Sequence, residues 1–98
     1  MEMLLRCQVS DGQLADEYAI EGKRHDGTGF SLFVPLESVE ISSPITELES
    51  VPGWLHVVVE KRKDDLCLIR LPRQTLDNGQ FITVRTSQLE RPRTPHEA

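Results

Sequence analysis

Two cysteines, Cys7 and Cys67, and three histidines, His25, His56 and His96, are the residues of this 98-residue chain whose types suit nucleophilic or metal chemistry. A thiol nucleophile needs a base and an orienting group within hydrogen-bond reach. Cys7 or Cys67 with His25 or His56 is the set available. Local context argues against it. Cys67 lies inside the run Leu66-Cys67-Leu68-Ile69-Arg70-Leu71, where a thiol reads as packing, whereas an activated thiolate needs an electropositive, partly exposed setting. Cys7 has Arg6 beside it, but successive residues of a strand point to opposite faces. The spacing also lacks the paired C-x-x-C or H-x-x-x-H pattern of zinc sites. His25 precedes a turn and is expected to be solvated, His56 sits between strand apolars as a half-buried sheet residue, and His96 falls in the tail. Gly27-Thr28-Gly29 is a lone G-x-G that joins two strands instead of opening a helix, so no helix N-terminus completes an anion cradle. No catalytic, cofactor-binding or metal-binding residue is assigned, and the chain is read as a non-enzyme with no cofactor.

Charge points to binding instead. The formal charge is −5, unevenly spread: residues 1–53 hold three basic residues against ten acidic, and residues 54–98 hold eight against six. Lys61, Arg62, Lys63, Arg70, Arg73 and Arg85 form the candidate interaction surface, chosen by charge and expected exposure. The preferred reading is a non-catalytic binding or protein–protein interaction module. It would work through sheet edges that must be covered, by self-association or by addition of a partner strand. A small-barrel nucleic-acid-binding protein is the alternative, with Phe81 or Trp54 stacking a base among those cations. Asp64 and Asp65 beside the Lys61–Lys63 triplet and the net negative charge weigh against that alternative, since phosphate affinity rests on Lys and Arg.

Length leaves room for one domain. The apolar stretches fall far short of the roughly 20 residues that span a bilayer, and the first residues lack the pattern of a secretory signal. The expected residence is cytoplasmic, without membrane contact, with Cys7 and Cys67 reduced and buried.

The elements that must position these residues are strands. No window shows a sustained 3.6-residue apolar period. Met3 to Val9 alternates Leu5, Cys7 and Val9. Glu17–Lys23 and Phe30–Val34 flank His25-Asp26-Gly27-Thr28-Gly29 and predict a hairpin. Trp54 to Glu60 carries three consecutive valines, and Leu66 to Leu71 follows a charged loop at Lys61–Asp65, predicting a second hairpin. Gln80 to Arg85 resumes the alternation, with Ile82 and Val84 on one face and Phe81 and Thr83 on the other. Ser42 to Gly53 reads as a surface connection, Arg73–Leu76 as a loop or single helical turn ahead of an Asp77-Asn78-Gly79 turn, and Arg91–Ala98 as a disordered tail.

Gly29–Glu40 aligns without a gap on Gly79–Glu90, suggesting a weak pseudo-repeat of residues 3–41 and 54–90. Phe33-Val34-Pro35-Leu36-Glu37-Ser38-Val39-Glu40 resembles the strand, proline, short turn and closing valine near the end of SH3-like barrels. The resemblance implies a small barrel. It carries no peptide-binding site to this chain, because the acidic aromatic loop and paired tryptophans of that family are missing. The expected fold is therefore all-β: a small closed barrel or two-layer β-sandwich of seven or eight short strands over residues 1–90, with two SH3-like units sharing a core as the looser alternative.

Overall fold

The alternating runs form eight antiparallel strands in the computed structural model, which describes residues 1–45, 49–76 and 79–92. They are β1 (Glu2–Asp11), β2 (Glu17–Lys23), β3 (Gly29–Pro35), β4 (Val39–Ile41), β5 (Val51–Lys63), β6 (Leu66–Arg70), β7 (Phe81–Arg85) and β8 (Leu89–Glu90). Two 3-10 turns, Leu36–Ser38 and Thr86–Gln88, precede β4 and β8. The main sheet runs β3-β2-β1-β5-β6-β7, with β4 added to β5 and β8 added to β1.

One face of every strand builds the core. Leu5, Val9, Ile20, Leu32, Val34, Leu55, Val57, Ile69, Leu71 and Val84 are fully buried. Each such aliphatic side chain contributes about 1.5–3 kcal/mol relative to remaining exposed. With few aromatics, this aliphatic set is what curls the sheet around an interior.

The chain crosses over in an informative way. β4 follows β3 yet pairs with the later β5, placing Val39 opposite Leu55 and Glu40 opposite Trp54. β8 follows β7 yet returns to the earlier β1, placing Leu89 opposite Leu5 and Glu90 opposite Leu4. The two long first strands meet each other with Leu5 opposite Leu55.

Among the described residues the terminal strands β3 and β7 share no ladder, so the structure is a curled half-barrel. Loops bridge its ends. The His25 amide donates to the Thr83 carbonyl of β7 at 2.9 Å, and the Leu76 amide donates to the Ser31 carbonyl of β3 at 2.8 Å.

Several boundaries differ from expectation. Lys61–Lys63 was expected in a loop but continues β5 past a bulge near Glu60, pairing Lys61 with Leu68, Arg62 with Cys67 and Lys63 with Leu66. Charge does not stop a strand whose end is solvated. The turn is only Asp64 and Asp65, and Asp64 adopts φ 55°, a left-handed conformation that aspartate tolerates. Val51-Pro52-Gly53 belongs to β5, not to the connection. Pro52 is tolerated near the strand start, where its carbonyl accepts from the Ser42 amide at 3.1 Å. In the β2–β3 turn, Gly27 takes φ 88°. The Thr28 hydroxyl and amide donate to Asp26 Oδ1 at 2.7 and 3.0 Å, which holds the Asp26 carboxyl below its ordinary range. Asp77 and Asn78 of the expected turn, Thr46–Leu48 of the connection and Arg93–Ala98 of the tail lie outside the described residues.

Candidate functional site

The thiols sit where packing places them. Cys7 and Cys67 are both free and buried. Cys7 Sγ donates to the Gly53 carbonyl at 3.5 Å, and burial pushes its thiol up to about 12. Cys67 Sγ lies 3.8 Å from the Thr86 hydroxyl. Neither thiol meets a histidine among the described residues.

The histidines are structural ties. His25 Nδ1 lies 3.3 Å from the Thr83 carbonyl that its own amide also meets, so this ring is half-buried against β7 and not solvated as its turn position suggested. His56 is half-buried, with Nδ1 3.4 Å from Glu2 and Nε2 3.4 Å from Glu40. On the same outer face, the Trp54 indole N–H donates to Glu90 at 2.9 Å, and Arg6 lies 3.7 Å from that carboxylate. These contacts fasten the short closing strands β4 and β8 to β5 and β1. Among the described residues no group of three or more His, Cys, Asp or Glu side chains is arranged to hold a metal ion, and no helix is long and apolar enough to cross a membrane.

The six candidate cations divide. Strand register places four on one outer face. Val58, Arg70 and Phe81 form one row across β5–β6–β7; Lys61, Leu68 and Thr83 form the next; Lys63, Leu66 and Arg85 form the third. Arg62 pairs with the buried Cys67 and so belongs to the opposite face. Arg73 lines a separate hollow with Asp16, Glu17 and Glu37. Phe81, 54% exposed, stands in the same face as the four cations. Two of these cations are engaged: Arg70 Nε lies 3.2 Å from Glu60 and Arg85 Nη1 lies 3.2 Å from Asp65, both pairs at the surface. Such exposed pairs are worth about 0–1 kcal/mol, so they orient the guanidinium groups without locking them away.

No family model, curated protein or solved structure matches the chain. The site therefore rests on its geometry.

A second concavity went unread in the sequence. A groove of about 1050 Å³ opens where β1 changes partners, from β2 at Gln8 to β8 at Leu5. Phe30 and Gly22 meet on its inner side, Arg6 and Lys23 bring cations, and Leu76 brings an exposed apolar side chain. Its one sequence signal was a glycine inside a strand: a Cβ on Gly22 would stand 2.6 Å from the Phe30 ring.

Proposed function

We propose that the protein is a non-catalytic interaction module, built from two SH3-like units that exchange their closing strands, which binds a protein partner through the outer face of β5–β6–β7. One observation carries the reading: the three-by-three face in which Val58, Leu66, Leu68 and Phe81 are interleaved with Lys61, Lys63, Arg70 and Arg85. Apolar side chains bordered by charges are the anatomy of a protein interface, with an aromatic anchor and a polar rim. The cations favour an acidic partner by complementarity. The succession of strand, 3-10 turn and short closing strand in both Gly29–Ile41 and Phe81–Glu90 supports the SH3-like reading of the halves. Two free buried thiols suit a cytoplasmic setting.

A second reading, single-stranded nucleic acid, is favoured specifically by Phe81, because an exposed ring beside Arg70 is the element of a base-stacking platform. Prior engagement of Arg70 and Arg85 by Glu60 and Asp65 ranks it lower.

Photo-crosslinking separates the two. With p-benzoylphenylalanine in place of Phe81, extract of the source cells should give a protein adduct of discrete mass that Leu68→Glu abolishes. An adduct only when the photoreactive group replaces Phe33 would move the interface to the β3 edge and overturn the proposed face. Binding of a fluorescein-labelled oligothymidylate, lost on Lys61→Glu, with no protein adduct, would establish the nucleic-acid reading instead.

A further inference from the structure

The β1–β5 ladder relates the two halves of the chain, and the groove on β1 has a counterpart on β5. Leu5 faces Leu55, and Cys7 and Val57 follow two residues later in each strand. The pair Ile20–Leu32 of β2–β3 corresponds to Ile69–Ile82 of β6–β7. Two residues along, Gly22 opposite Phe30 therefore corresponds to Leu71 beside Gln80, whose carbonyl accepts the Leu71 amide at 2.8 Å. Corresponding places are lined differently.

On the β5 side the concavity is about 470 Å³. Leu71 fills the place of Gly22 and is fully buried. His56, in the place of Arg6, is held between Glu2 and Glu40. Pro72 stands where β2 has Lys23.

On the β1 side the same frame is opened to about 1050 Å³. Glycine at position 22 makes room for the Phe30 ring, and the Arg24 guanidinium stands 6.0 Å over that ring while bonding the Gly29 carbonyl. Gln88 reaches across from the second half: its Oε1 accepts the Arg85 amide at 2.7 Å and its Nε2 donates to the Lys23 carbonyl at 2.9 Å. The wall is thus fixed by both halves. In a chain of net charge −5, Arg6 and Lys23 outweigh Glu21 in the lining. Arg6 is only loosely engaged, 3.7 Å from Glu90 with its side chain 61% exposed. The volume lies just above the roughly 300–1,000 Å³ of small-molecule sites, and most of the lining residues are polar, with the exposed Leu76 as the main apolar side chain.

We propose that this groove is a binding site for a small organic anion bearing an apolar ring or branched chain. The anionic group lies toward Lys23 and Arg6, and the apolar part lies toward Leu76 and the Phe30 side. The site is independent of the β5–β6–β7 face.

The test is an amide-detected NMR titration of the full chain with 1-naphthoate, and with neutral 1-naphthamide as the matched control. Saturable shifts should centre on Gly22, Ser31 and Gln88. The carboxylate should bind at least about tenfold more tightly than the amide, the ratio expected for one charge-assisted contact. Lys23→Gln should narrow that ratio to within about threefold and leave the thermal midpoint unchanged, because an exposed lysine contributes little to stability. Equal binding of acid and amide, shifts centred on His56 and Leu71, or no saturable shift up to about 10 mM would each overturn the proposal.

Discussion

Leu5 stands directly opposite Leu55 where the two longest strands cross, and both side chains are fully buried. The next neighbour of each comes from the other half of the chain: Leu89 beside Leu5, and Val39 beside Leu55. Each half thus supplies the closing strand for its counterpart, and the exchange carries Gln88 to Lys23 and Glu40 to His56. The groove on β1 takes Ser87 and Gln88 from the turn before β8, and the smaller concavity on β5 takes Glu37 and Ser38 from the turn before β4.

Truncating either leucine should destabilise the protein strongly. Leu5→Ala and Leu55→Ala are each expected to cost about 2–5 kcal/mol, since neither site can collapse without moving two ladders. Because the two side chains are a cross-strand pair on one buried face, the truncations open a common cavity, and the double substitution should cost less than the sum by more than about 0.5 kcal/mol. Urea unfolding of the four proteins checks the pair. Strict additivity would mean that the residues do not share a cavity.

Cys7 sets an alkaline limit. Its thiol, ordinarily near 9.0, is pushed to about 12 by burial. The unfolded chain therefore releases this proton first as pH rises, and stability that is intact below pH 9 declines between about 9 and 12. Replacing the thiol by a non-titrating group of similar size, Cys7→Val, should flatten this part of the stability–pH curve measured by urea unfolding. The thiol should also be unreactive toward a disulfide reagent at pH 8 in the native protein and react on unfolding.

How much of this was legible in the sequence varies with the physical range of each signal. Gly27 with its flanking polar residues announced the first hairpin, and the valine and leucine runs announced β5 and β6, because turn chemistry and alternation are local. The end of β5 was misplaced, because Lys61–Lys63 looks like a loop by charge while a solvated strand end accepts charge on both faces. The face shared by Lys61, Lys63, Arg70 and Arg85 depends on the bulge near Glu60, since a one-residue slip exchanges the faces of everything beyond it. Arg62 leaves the group for that reason, since its charge is visible in the sequence and its register is not, whereas Arg73 leaves it because it lies in the loop after β6. The strand exchange was illegible altogether. Val39 and Leu89 each present one apolar side chain to a leucine, Leu55 or Leu5, and either would suit either partner by polarity alone. The groove escaped because it depends on what Gly22 lacks.

Asp64 offers a gain in stability. At φ 55° it holds the left-handed position of the β5–β6 turn. Asp64→Gly should stabilise the protein by up to about 1 kcal/mol by removing the side-chain penalty there. Asp64→Val, whose branched side chain tolerates that conformation worst, should destabilise it by about 1–2 kcal/mol. Thermal unfolding of the two variants gives the ordering directly, and an unchanged midpoint in both would place the turn elsewhere.

The exchange of closing strands is tested most directly by cross-strand NOEs between α-protons, which report which residues stand opposite one another in an antiparallel ladder. The structure requires contacts from Leu5 to Leu89 and from Leu55 to Val39. Contacts from Leu5 to Val39 and from Leu55 to Leu89 would instead mean that each half closes on itself, and would contradict both the architecture and the groove built from it.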